Sequence, residues 1–308
     1  MEQKYIELYD KYTHSADMSR RDFLDRLAKL AGSGALALAL LPSLENNYAE
    51  AGTISTSDKR LTTDYIEYDG ASGKMRAYLA LPAKAKKDLP AVVVIHENRG
   101  LNQHIEDVAR RAALEGFMAL APDALSPLGG TPADMDEARG MFSKLDREKT
   151  VKDFVAAVTY LKNDPRSNGR VGCVGFCWGG SMANQLAVNS EDLKAAVAFY
   201  GGQPKAEDVP RIKAALMLHY AGLDQRINQG IPAYEKALKD AKVDYQLFTY
   251  ENVNHAFHND TNEARYNAEA AKLAWQRTID FFKKHLIAQE KPKEKTKEKE
   301  KTKAKKTK

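Results

Sequence analysis

Cysteine is nearly absent from this 308-residue chain, which has two, Cys173 and Cys177. A disulfide framework is therefore excluded as the basis of its fold. The two are not placed to bridge: on a strand, side chains four residues apart lie about 13 Å apart along the chain. A disulfide tolerates roughly 7 Å between Cα atoms. An apolar run of membrane-spanning length is also missing, because Leu30 to Leu44 falls short of the about 20 residues that a span needs. Neither HxH nor HExxH spacing is present, so no metal and no cofactor are expected. Nor does the body carry excess charge. The formal charge is +5, but the stretch from Glu290 to the end holds ten Lys and four Glu, a net +6, which leaves −1 for everything before it. A near-neutral body offers no phosphate-binding groove, and nucleic acid is not an expected partner.

What is present at the two ends sets them apart from the middle. The C-terminal run QEKPKEKTKEKEKTKAKKTK has no large apolar residue. It cannot bury enough surface to offset the entropy of ordering, so residues 289–308 read as a disordered tail. Near the other end, Ser19 to Leu24 reads SRRDFL, followed by an apolar stretch broken by small residues and then Ala49-Glu50-Ala51. A charged region, an apolar region and a small-residue cleavage site are the anatomy of an export signal. The Arg20-Arg21 pair followed by Phe23-Leu24 resembles the twin-arginine (Tat) type. Residues 1–51 are accordingly expected to lie outside the fold. The Tat export machinery is the partner expected before maturation, and the mature protein is placed in the periplasm or outside the cell. An uncleaved membrane anchor is the alternative. Export to an oxidising compartment makes a lone thiol worth attention.

Between the ends, residues 52–288, short apolar strands alternate with helical periods. Lys74–Leu81 alternates between Gly73 and Pro82. Ala91–His96, Phe117–Ala121, Arg170–Phe176, Ala195–Tyr200, Ala214–Tyr220 and Tyr245–Tyr250 read as strands, several of them buried on both faces. Helices are expected over 102–115, 134–144, 147–163, 179–188, 231–241 and 262–286. This alternation predicts one α/β domain with a mostly parallel central sheet flanked by helices on both faces.

In such a sheet the working residues follow the carboxyl ends of the strands. Glu97, Asn98 and Arg99 follow one strand, Cys177 another, Asp224 a third and His255 the last. Thiol, carboxylate and imidazole stand in the chain order of an α/β-hydrolase triad, with Cys in the serine place. Each has a physical task. Glycines at 175 and 179 allow a tight turn. The start of the following helix favours a thiolate at Cys177. His255 moves protons, and Asp224 holds its tautomer and stabilises the imidazolium. The backbone N–H groups of Trp178 and Asn98 are the natural oxyanion donors. Tyr200, just past a strand, is a candidate to face the substrate. Cys173, inside its strand, reads as core.

Together HENRG at 96–100, GFCWGG at 175–180, the Asp224 loop and HAF at 255–257 resemble the dienelactone hydrolase family, a branch of the α/β-hydrolase fold that uses a cysteine. The resemblance spans nearly all of residues 60–287. It implies that Cys177 attacks the carbonyl of a small-molecule ester or lactone, that an acyl-enzyme forms, and that water releases the acid. It also implies that Glu97 meets the resting thiol and helps to activate it. Dienelactone-specific members carry an arginine shortly after the histidine. Here the chain reads HAFHND, with Asn259 near that place, and Arg99, Arg139, Arg226 and Arg265 are the candidates to replace it. A non-catalytic exported binding protein and an acyltransferase are the alternative functions on the same scaffold.

Overall fold

The apolar run that the sequence marks as a central strand, Ala91–His96, falls on β3 (Leu89–Ile95), which has no exposed residue. Ala91, Val93 and Ile95 face one hydrophobic cluster, and Val92 and Val94 face the other, because side chains alternate along a strand. In a computed structural model of the chain, described over residues 1–15, 17–48, 52–85 and 87–287, β3 lies within an eight-stranded sheet. The other strands are β1 (Leu61–Gly70), β2 (Gly73–Pro82), β4 (Met118–Pro122), β5 (Ser167–Phe176), β6 (Leu193–Phe199), β7 (Ala215–Ala221) and β8 (Tyr245–Tyr250). Their order is β1-β2-β4-β3-β5-β6-β7-β8. β1 and β2 pair antiparallel with each other, as do β2 and β4, and the rest run parallel.

Three helices share the first cluster: α6 (Arg147–Asn163), α7 (Trp178–Asn189) and α9 (Ile231–Asp240). α4 (Gln103–Leu114) and α10 (Ala268–Leu286) share the second. Both faces of the sheet are thus covered, and this is the α/β-hydrolase fold. Three details depart from expectation. β1 was missed: it is an edge strand with one buried residue, Tyr68, so its sequence has no apolar face to read. α10 starts at Ala268 instead of 262, because the Asn267 side chain accepts from the Ala270 N–H and caps it there. The helix expected over 134–144 divides into α5 (Met135–Met141) and a 3-10 turn, Phe142–Lys144.

The larger difference is at the N-terminus, where the fold was expected to start near Gly52. Three helices, α1 (Gln3–His14), α2 (Arg20–Ala31) and α3 (Gly34–Leu44), pack together and onto the domain. Phe23 stacks on Tyr12 at 4.6 Å between ring centroids and meets Tyr9 edge-on at 5.8 Å. Leu27 and Leu44 complete a buried cluster. Ser19 and Asp22 form a capping box that starts α2. Polar bonds tie the segment down: Tyr12 Oη donates to Asp136 at 2.7 Å, Arg139 donates to the Tyr12 carbonyl at 2.6 Å, and Asn98 donates to the Thr13 carbonyl at 2.9 Å. Asn46 donates to Thr261 at 2.9 Å, and Asn262 donates to the Leu44 carbonyl. Leu30, Leu36 and Leu38 stay exposed. Among the described residues no single helix is long and apolar enough to cross a membrane. α2 and α3 together pass that test by length and composition, but they meet at a 113° bend. The cleavage motif Ala49–Ala51 and the tail 289–308 lie outside the described residues.

Candidate active site

β5 runs into α7 through one residue. Cys177 sits there with φ 55° and ψ −110°, a conformation that L residues rarely adopt. Its N–H bonds to the Phe199 carbonyl at 3.0 Å, which fixes the turn against β6. The glycines on either side are required by contact. A Cβ on Gly175 would overlap the Gly179 carbonyl, and one on Gly179 would overlap the Ile95 and His96 carbonyls. The strain places Sγ above the carboxyl edge of the sheet, at the first turn of a helix.

Two loops on the same edge bring the rest. Asp224 follows β7 and caps the short α8 (Gln225–Asn228). His255 follows β8. His255 Nδ1 and Asp224 Oδ2 are 2.5 Å apart, and both side chains are buried. His255 Nε2 is buried and has no hydrogen-bond partner. The three sequence-derived residues therefore converge. One residue that the sequence reading did not include joins them: His14, the last residue of α1, brings Nε2 to 3.2 Å from Cys177 Sγ. The His14 and His255 rings meet edge-to-face at 4.7 Å.

The charges follow from these contacts. Burial alone would push the Cys177 thiol up, but the His14 and His255 imidazoles bring it down to about 6. Burial would likewise lower His255, and the negative charges of Asp10, Cys177 and Asp224 raise it to about 10. Burial works to raise Asp224, yet the His255 imidazole holds its carboxyl below the usual value. Cys173, equally buried but without such neighbours, is pushed far up.

The other expected residues divide. Asn98 and Trp178 lie beside Cys177, in the wall of a cavity of about 410 Å³. Trp178 is the first residue of α7, so its N–H lies ahead of the intrahelical ladder. Its ring stacks on His96 at 5.4 Å and packs against Phe142 and Phe154. Tyr200 lines the same cavity with its ring 4.9 Å from His255, and its hydroxyl is buried without a partner. Glu97 is buried, but its hydrogen bond is to Asn259, which donates to Oε2 at 2.7 Å. The thiol partner expected of Glu97 is His14 in this structure. Arg99 is buried behind the cavity and donates to the Met135 carbonyl at 3.1 Å. Arg265 is likewise buried, against Asp10 and Asn46. Arg139 and Arg226 are the arginines in the cavity wall. A wider groove of about 1010 Å³ continues from it past Phe142, Trp178 and Ser181 along α6 and α7.

Among the described residues, two groups of side chains have the donor sets and spacing to hold a metal ion. The donor atoms of His14, Cys177 and His255 lie within 4.8 Å of one another, as do those of Asp10, Asp224 and His255. A thiolate with two imidazoles suits a borderline-soft cation such as zinc. From the sequence no metal is expected, and the first group has no local motif, since His14 lies 163 residues from Cys177.

A cysteine-bearing elbow at the carboxyl edge of this sheet, with a His–Asp pair beside it, defines a member of the α/β-hydrolase class. The chain belongs to the dienelactone hydrolase family, whose family model matches residues 75–286. Several relatives carry the name "Putative carboxymethylenebutenolidase", two of which serve as examples. The one from Saccharolobus solfataricus is 34% identical over 257 residues, covering 71% of this chain and 97% of its own length. The one from Escherichia coli O157:H7 is 30% identical over 247 residues, covering 75% and 90%. Among solved structures, a dienelactone hydrolase-like promiscuous phosphotriesterase from metagenomic libraries superposes with a TM-score of 0.66 at 26% identity, covering 74% of this chain and 100% of its own.

Proposed function

We propose that this hydrolase cleaves a carboxylic ester or lactone of a small molecule, using Cys177 as nucleophile and passing through an acyl-thiol intermediate. The observation that carries the reading is the strained turn at Cys177, with the buried His255–Asp224 pair beside it. The neighbouring charges favour a thiolate at Cys177 and an imidazolium at His255 that can protonate the leaving oxygen. The N–H groups of Asn98 and Trp178 serve the oxyanion. Arg139 and Arg226 in the cavity wall favour a substrate bearing an anionic group. The test is to mix full-length protein with p-nitrophenyl acetate, quench, and weigh the intact protein. An acetyl adduct on Cys177 that is lost on standing supports the reading. Neither adduct nor nitrophenol release from folded, reduced protein would sink it.

For location, the proposal is export through the twin-arginine route to the periplasm or beyond, resting on the Ser19–Leu24 motif and the apolar stretch after it. The bonds that residues 1–48 make to the domain favour a segment that stays attached. The mass of the protein recovered from the cell envelope tests this: loss of the first fifty or so residues would count against retention.

A further inference from the structure

The contact between His14 and Cys177 has the form of a second carboxylate–imidazole pair directed at the same thiol. His14 Nδ1 lies 2.8 Å from the Asp10 carbonyl and 3.5 Å from the Asp10 carboxylate. A carbonyl only accepts, so Nδ1 carries a hydrogen and the neutral ring presents a bare Nε2. That bare nitrogen is the one facing Sγ at 3.2 Å. His255 has the same logic, with Nδ1 toward Asp224 and Nε2 buried, but its Nε2 has no partner. Two imidazoles thus flank one sulfur, one engaged with it and one free.

We propose that His14 is a catalytic residue: it is the proton acceptor for Cys177, and the N-terminal segment is part of the active site. This rests on the hydrolase reading above and divides the proton work between two histidines. At rest, one proton is shared along Sγ···Nε2 of His14. When Sγ gives its electron pair to the substrate carbonyl carbon, that proton stays on His14 and the carbonyl π pair moves to oxygen. Collapse of the oxyanion breaks the C–O bond, and the leaving oxygen takes its proton from Nε2 of the His255 imidazolium. His255, now neutral, takes a proton from water as the water oxygen attacks the acyl-thiol. The second collapse returns the electron pair to Sγ, which again shares the His14 proton. One ester and one water become one acid and one alcohol, and both histidines end as they began.

The surroundings fit this division. The segment supplies Thr13, His14 and Ser15 to the wall of the substrate cavity, opposite Trp178 and Tyr200. Asn98, an expected oxyanion residue, spends its side chain on holding the Thr13 carbonyl. The charged and titratable groups around Sγ come from every neighbouring element. Asp10 and His14 are on α1, Glu97 is after β3, and Tyr200 is after β6. Asp224 and Arg226 follow β7, and His255 and Arg265 follow β8. Among them, His14 is the one in hydrogen-bond contact with the sulfur.

The experiment is the pH dependence of Cys177 alkylation by iodoacetamide, in full-length wild type, His14→Ala, His14→Gln and His255→Ala. Peptide mass mapping separates Cys177 from the buried Cys173. The expected result is a midpoint that moves up by about 1–2 pH units in both His14 variants, as removal of a flanking imidazole predicts. The rate at pH 6 should fall by at least about tenfold. His14→Gln keeps an amide within bonding reach, so the docked segment is retained in that variant and a thermal melt reports it. An unmoved midpoint in folded His14 variants would overturn the proposal and leave the Cys177–His255–Asp224 reading standing. Full esterase activity in Cys177→Ala would overturn that reading and this proposal together.

Discussion

Two regions of the molecule deliver a carboxylate–imidazole pair to Cys177, and they do so by different means. Asp224 and His255 stand on loops anchored by neighbouring parallel strands, β7 and β8, with Nδ1 and carboxylate 2.5 Å apart and the His255 side chain 3% exposed. Asp10 and His14 stand one turn apart on α1, with Nδ1 and carboxylate 3.5 Å apart and the His14 side chain 14% exposed. The first pair is fixed by the hydrogen-bonded ladder of the sheet. The second depends on the docking of a segment whose own core is a few aromatic and aliphatic side chains around Phe23. The proposed division of proton work needs one imidazole that is rigid and protonated and another that yields its hydrogen bond as the sulfur leaves it. The tighter pair suits the first role and the looser pair the second.

The comparison can be broken by mutation. Cys177→Ala should lose at least about 10⁴-fold in kcat for a p-nitrophenyl ester while the melting profile is kept, since the nucleophile is common to both pairs. Asp224→Asn should cost about 10³- to 10⁴-fold in kcat, because no carboxylate then stabilises the His255 imidazolium and the wrong tautomer, with its hydrogen on Nε2, cannot take a proton from water. Asp10→Asn should cost about tenfold or less, because the Asp10 carbonyl still orients His14. Equal losses in the two variants would erase the distinction drawn above.

Two smaller effects sharpen it. The profile of kcat/KM against pH should be bell-shaped. The thiol is held low, so activity appears as the thiolate forms above about 6. His255 is held high, so activity is lost as its imidazolium deprotonates above about 10. A single limb near 6.5, or a profile flat from 5 to 9, would contradict this charge arrangement. Least of all, Arg226→Ala should raise KM about three- to tenfold more for an ester carrying a carboxylate than for a neutral ester, any change in kcat through its 3.4 Å contact with His255 Nδ1 being common to both. A uniform effect on both substrates would remove the anionic-substrate element of the proposal.

Much of this was legible in the residues, and the reasons are specific. β3 and the 171–176 half of β5 declare themselves because a strand segment buried on both faces must be apolar, and Cys177 because only glycines fit at 175 and 179. Cys173 and Cys177 were told apart by position alone, and their thiols now lie on opposite sides of the ordinary value. β1 was not legible, since an edge strand exposed on most positions carries little pattern. His14 was not legible for another reason. The Ser19–Leu24 motif and the apolar run after it drew the whole N-terminus into one explanation, although Tyr5, Ile6, Tyr9, Tyr12 and Thr13 line one buried face of α1. An amphipathic aromatic helix ahead of the arginine pair was the available signal. Glu97 was assigned by family resemblance, and its hydrogen bond goes instead to Asn259, 162 residues away, a contact that no local motif states.

The docking of α1 and α2 has a consequence for the order of synthesis. His14 leaves the ribosome 163 residues before the sulfur it meets, and Gln3 precedes its partner Asn254 by 251. At about 5–20 residues per second, that larger gap lasts roughly 12–50 s. Arg20 waits a shorter time, since Asp136 follows it by 116 residues, roughly 6–23 s at the same rate. His255 and Asn254 emerge late, so the reactive centre closes and α1 docks only once most of the chain has been made.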